Sequence, residues 1–293
     1  MKSTYLLPRW CRPIGLLLGI PGLILGYLYS INDYEIPGFG FNLRKSDGLF
    51  QQRFENFTNE LAIFLVVIGL SFTAFAKVKK EDELTSKIRL SALYWSMFLY
   101  YSTYLSGLFF LVFLNGFPSI ISDHLNELSV VLPLLIFNLR FYYLLYARKD
   151  RFVTQAPRFL PCRPFRFTGI ICTFAGATGI GFALAKGILL DSDTRWPAIS
   201  FFVFFAGLLC WAFSKHKTED EMMIQQRMES LQLAFYFNYL LFLVATLSFY
   251  SLDYLLVLIV GQFSLLLYFI IRMEYVRLKQ HNISDPLEKG MTS

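Results

Sequence analysis

The sequence is poor in the residues that carry most protein chemistry. Its 293 residues include 3 histidines and 4 cysteines, and only 16% are charged. His124, His216 and His281 stand at no metal-ligand spacing, so no zinc site is expected. Cys11, Cys162, Cys172 and Cys210 fall at the edges of apolar blocks or inside them, which argues against an extracellular disulfide framework. There is no glycine-rich phosphate loop, no Gly-x-Ser-x-Gly turn and no His-Glu-x-x-His helix. Charge is also missing from the centres of the apolar blocks, where the polar residues are neutral ones such as Tyr100, Ser102, Asn238 and Gln262. A proton-coupled pump would need ionisable groups there. These absences leave no catalytic, cofactor-binding or metal residue to name, and no cofactor is expected.

What remains is hydrophobic. Apolar residues make up 55% of the chain and come in long blocks, without the scatter of a water-soluble core. A helix needs about 20 mainly apolar residues to cross the hydrocarbon layer. Eight blocks qualify, near 14–30, 59–76, 90–114, 120–142, 168–190, 197–213, 231–250 and 252–272. The expected fold is therefore all-α, a polytopic membrane protein of eight transmembrane helices. The first block follows Lys2, Arg9 and Arg12 but ends in Tyr27-Leu28-Tyr29-Ser30, without a small-x-small cleavage pattern, and reads as an uncleaved anchor. With the N-terminus inside, only Arg44, Lys45, Arg53, Lys186 and Arg195 fall outside. The bias puts both termini in the cytoplasm. The net charge of +6 then reflects attraction to anionic lipid heads, with the lipid bilayer as the partner and no nucleic acid.

One charged stretch occurs twice. Residues 74–89 read AFAKVKKEDELTSKIR and residues 212–227 read AFSKHKTEDEMMIQQR. At one offset Phe75/Phe213, Lys77/Lys215, Lys79/Lys217, Glu81/Glu219, Asp82/Asp220, Glu83/Glu221 and Arg89/Arg227 coincide, the signature of an internal repeat. Cys11-Arg12-Pro13 matches Cys162-Arg163-Pro164, and Phe137-Asn138-Leu139-Arg140 matches Phe269-Ile270-Ile271-Arg272. The repeat unit is thus four spans, 1–148 and 149–293, joined by a basic, proline-punctuated linker at about 149–167. An even number of spans makes the two repeats parallel, related by an axis along the membrane normal. The first repeat carries extra polar residues between Asn32 and Asn59.

Two features invite a structural or functional reading. Gly15, Gly19, Gly22 and Gly26 in the first span, and Ala175, Gly179, Ala183 and Gly187 in the fifth, recur at helical spacing and suit close helix packing. The duplicated loops carry acids that suit a helix start, with Thr218 and Glu221 as a capping box. Asp82 and Arg89, like Asp220 and Arg227, lie two helical turns apart, too far for a one-turn pair. Each member of these pairs is therefore expected to seek another partner, and Arg140 and Arg272 stand at about the depth where the acidic helix begins, within reach of its acids. A cytoplasmic charged collar, one half per repeat, is expected from Lys77, Lys79, Glu81, Asp82, Glu83, Arg89 and Arg140, and from Lys215, Lys217, Glu219, Asp220, Glu221, Arg227 and Arg272. Three consecutive acids splay around a helix and do not converge on a metal ion.

The string Ser214-Lys215-His216-Lys217-Thr218-Glu219-Asp220-Glu221, followed by Arg227 and Ser230, resembles a signature of uncharacterised multi-span inner-membrane proteins found chiefly in the Bacteroidota, Ser-Lys-Glu-Lys-x-Glu-Asp-Glu and then Arg-x-x-Ser. The chain looks like two such units fused. His216 replaces the usual glutamate in the second, and Ala76 and Ala92 replace the serines in the first. The resemblance implies a bacterial inner membrane and supplies no catalytic residue. The expected role is a non-enzymatic sensing or partner-recruiting membrane component, with a cytoplasmic protein as the possible partner. The alternatives are a transporter or channel using the interface between the repeats and, behind it, an intramembrane enzyme. The sequence names no ligand and no oligomeric state.

Overall fold

The computed structural model describes residues 6–41, 45–46, 51–52, 55–79, 81–114, 119–147, 159–187, 195–216, 221–248 and 251–291. Among the described residues there are eight helices: α1 (Cys11–Asn32), α2 (Thr58–Phe75), α3 (Glu83–Leu114), α4 (Ser119–Ala147), α5 (Phe165–Ala185), α6 (Trp196–Phe213), α7 (Glu221–Ser248) and α8 (Ser251–Met291). Each contains a stretch long and apolar enough to cross a membrane, and each matches one of the eight expected blocks. The protein is all-helical and multi-pass, apart from two short antiparallel ladders between α1 and α2. These pair Gly40–Phe41 with Glu55–Asn56 and Lys45–Ser46 with Gln51–Gln52.

The helix ends follow from their local sequences. Asp33 closes α1 in the left-handed region at φ 48°, which a short polar side chain tolerates. Asn56 precedes α2, and its Oδ1 accepts the Thr58 N–H at 3.1 Å. The Thr58 hydroxyl in turn accepts the Ile36 N–H at 2.9 Å, which ties the incoming segment to the helix start. Pro197 enters α6 at its first turn, where no N–H is needed. Helix α3 begins at Glu83, earlier than the apolar block alone suggests, because Asp82 Oδ1 accepts the Thr85 N–H at 2.7 Å and caps it. The long α8 runs past its apolar block through Met273 and Arg277.

Backbone proximity divides the chain into two compact units. The first comprises 1–100, 118–155 and 239–262. Its core is the pair α1 and α2, with α4 laid against α2. Gly15, Gly19 and Gly22 of α1 face α2, where a Cβ on Gly15 would lie 2.7 Å from Gly69 O and one on Gly22 2.8 Å from Val66 N. At Gly15 and Gly22 only hydrogen allows so close an approach, whereas a Cβ on Gly19 would meet the Gly69 backbone at an ordinary 3.6 Å. Within this unit Asn138 donates to Leu70 O and Leu134 O, and Thr73 donates to Asn138 Oδ1 at 2.9 Å. The buried amide is thereby satisfied, as the low-dielectric interior requires. Tyr100 donates to Gln262 Oε1 at 2.5 Å, and Tyr239 to Val130 O at 2.8 Å.

The second unit comprises 101–117, 156–238 and 263–293. Here α5 and α6 form the tight pair. A Cβ on Gly176 would fall 2.5 Å from Phe204 N, and one on Gly207 2.5 Å from Thr173 N. Aromatic rings fill the space alongside: Tyr101 and Tyr104 lie against Phe205 at 5.7 and 5.0 Å, and Phe204 meets Phe263 edge-on at 5.5 Å.

Candidate functional site: two buried arginine nodes

At the exit of α2 the chain turns extended at Ala76, and at the exit of α6 it turns extended at Ser214. Each extended segment pairs with the residues ahead of the preceding helix. Leu7 donates to Phe75 O and accepts from Lys77 N, both at 3.0 Å. Leu160 donates to Phe213 O at 2.9 Å and accepts from Lys215 N at 2.8 Å. A parallel bridge therefore clasps the base of each helix pair. Sequence periodicity gave no signal of it, since a single bridged residue has no period.

An arginine of the third helix completes each clasp. Arg89 Nη2 donates to Ala76 O at 3.2 Å, and Arg227 Nη2 donates to Ser214 O at 3.0 Å. Both side chains are buried, at 2% and 3% exposure. Arg89 also grips Glu81, with Nη1 to Oε1 at 2.9 Å and Nη2 to Oε2 at 3.3 Å, while the other face of that carboxylate accepts Val78 N–H at 3.0 Å. Aromatic faces back the guanidinium groups, Phe141 at 4.9 Å from Arg89 and Phe159 at 4.4 Å from Arg227.

The charges expected to form a collar thus have distinct placements. Glu81 and Arg89 meet because Glu81 precedes the helix and its chain folds back, a contact that helical spacing alone does not reveal. Asp82 caps α3, and Glu83 pairs with Lys87 at 3.1 Å on an exposed helix face. Lys77, Lys79, Lys215 and Glu221 are exposed. Arg140 stands over the Trp95 ring at 5.3 Å, and among the described residues no acid forms a salt bridge with Arg140 or Arg272. Lys217, Glu219 and Asp220 lie outside the described residues. Of the small residues, Gly15, Gly19 and Gly22 are buried and Gly26 half-buried beside Ala62. In α5, Ala183 is buried and Gly179 lies against Ser200, while Ala175 and Gly187 are exposed. The close face of α5 runs through Gly169, Thr173, Gly176 and Ala183.

One polar cluster has no forerunner in the sequence reading. Arg166 of α5 contacts the His216 ring, 3.0 Å from Nε2, and forms an ion pair with Glu274 of α8. Arg277 pairs with the second oxygen of Glu274 at 3.0 Å. Burial, followed by the positive charge of Arg166, Arg227 and Arg277, lowers the His216 pKa to about 3. Glu274 sits two residues past Arg272, where the sequence reads as a solvated tail. Among the described residues no group of three or more His, Cys, Asp and Glu is gathered to hold a metal ion. No protein-family model matches the chain, and no curated protein or solved structure matches it either.

Proposed function

We propose that this protein is a non-enzymatic inner-membrane component with both termini in the cytoplasm, built from two parallel four-span repeats. Its role is to hold charged segments in fixed positions on the cytoplasmic face for a protein partner. The carrying observation is the matched pair of clasps: Leu7 with Ala76 and Arg89, and Leu160 with Ser214 and Arg227. In both, the buried arginine is turned inward to a backbone carbonyl while the lysine next along the chain, Lys77 or Lys215, stays exposed. The arginines and Glu81 support the segment, and the exposed lysines are the part a partner meets. Such rim charges govern association rate and salt dependence more than folding.

Charge reversal tests the reading. The double change Lys77→Glu with Lys215→Glu is expected to leave thermal melting in detergent unchanged and to remove co-purifying protein under mild solubilisation. Melting and bound proteins both unchanged would reject it.

A further inference from the structure

The two halves diverge around their buried arginines. At the spacing that relates Arg89 to Arg227, Ile88 matches Gln226 and Ala92 matches Ser230; at the spacing that relates Phe137 to Phe269, Phe141 matches Met273 and Leu145 matches Arg277. In the first half Ile88, Ala92, Phe141 and Leu145 are all buried, and Phe141 covers the guanidinium. The matching positions of the second half line a shallow cleft of about 20 Å³, whose polar lining is His216, Gln226, Arg227, Ser230 and Arg277. Three of the four positions are polar where the first half is apolar, and the fourth, Met273, is apolar and buried as Phe141 is.

We propose that this cleft binds a phosphate-type oxyanion, presented by a phospholipid headgroup or by a soluble phosphate ester. Its lining carries guanidinium N–H groups, although Arg227 Nη2 already donates to Ser214 O and the Ser230 hydroxyl to Gln226 O. Three guanidinium groups, Arg166, Arg227 and Arg277, stand around the cleft and its edge, and Glu274 is the carboxylate shared between Arg166 and Arg277. The positive charge of the described residues thus exceeds the negative there. Arginine forks match phosphate oxygens in geometry as well as charge. His216 is held neutral by burial and the neighbouring arginines, so the positive charge at the cleft is that of the guanidinium groups. The whole cleft has room for about one water-sized group, so one anionic oxygen enters beside Ser230 and Arg227 and the remainder of the phosphate stays outside it, beside the half-exposed Arg277. Arg166 stands in the first turn of α5 and Arg277 near the end of the apolar stretch of α8, Val257–Lys279, where headgroups come within reach, and basic pockets between spans recognise anionic headgroups in this way.

The test follows melting of the purified full chain in neutral detergent during two titrations at matched ionic strength. One adds inorganic phosphate against chloride, the other phosphatidylglycerol against phosphatidylcholine. The wild type should show a saturable rise in melting temperature. In Arg277→Gln the half-saturation point should move about ten-fold or more to higher concentration, the size of one lost charged hydrogen bond. The double change Gln226→Ile with Ser230→Ala, which installs the residues of the first half, should abolish the rise. Saturation by phosphatidylglycerol alone assigns the headgroup, saturation by inorganic phosphate alone assigns a soluble ester, and saturation by both shows that the phosphate group itself is recognised. No saturable rise with either, or a rise unchanged in Arg277→Gln, overturns the proposal. Arg277 is half exposed, so its replacement keeps the test open even if the double variant folds poorly.

Discussion

Arg89 and Asp82 show how neighbouring charges in one loop take different tasks. Arg89 is buried and holds both Glu81 and Ala76 O, so Arg89→Ala leaves the Ala76 carbonyl without this donor and the Glu81 carboxylate with only the Val78 N–H among the described residues. The expected loss is up to about 3–5 kcal/mol of unfolding free energy, the range for breaking a buried pair, reduced by the partial exposure of Glu81. Asp82→Ala removes a helix cap and should cost about 1 kcal/mol. Denaturant titration of both variants in detergent decides the order, and an equal loss would contradict the assignment of Glu81 as the partner of Arg89. His216 gives a pH signature. In the folded chain it stays neutral down to about pH 3, while the unfolded imidazole takes up a proton near pH 6.5. The unfolded state therefore binds more protons between these values, and stability, full above 6.5, falls as pH drops through the window. The groups facing the ring are Arg166, Arg227 and Arg277, with Glu274 bridging two of them. Melting followed from pH 7 to 4 should fall less steeply in His216→Val, which carries the residue of the matching position, Val78, than in the wild type.

At the scale of the helix, small residues are informative only when the facing residue is known. Gly176 lies against the Phe204 backbone, whereas a Cβ on Gly181 would meet nothing within 4 Å. Gly176→Leu should therefore prevent assembly or sharply reduce expression. Gly181→Ala should be neutral or slightly stabilising, since alanine is favoured over glycine by about 1 kcal/mol in a helix. Size-exclusion profiles in detergent read both outcomes. The apolar blocks were legible because lipid demands continuous hydrophobicity over a whole span, and all eight helices fall on them. The close face of α5 was less so: residues four apart mark a stripe, but Ala175 and Gly187 on that stripe are exposed while Gly169, Gly176 and Gly207 make the approach. Contact partners such as Glu81 with Arg89, or Arg166 with Glu274, depend on how a chain bends between helices, which no period encodes.

For the molecule as a whole, sidedness has a direct test. In a version with its four cysteines replaced by serine, single cysteines at the exposed positions Glu35 and Lys215 should label from opposite sides of the membrane with an impermeant thiol reagent. Labelling from one side would contradict the arrangement of spans. The clasp at Leu7 bears on a different property, the response to mechanical load. A force applied at the N-terminus reaches the Leu7 bridge before it reaches α1, and passes from there into Phe75 and Lys77 at the far end of α2. Because the glycine face locks α1 and α2 together along their length, the two helices share the load. Pulled from the N-terminus out of a bilayer, they should leave in one extraction event spanning both, and Leu7→Pro, which lacks the donating N–H, should split that event into two.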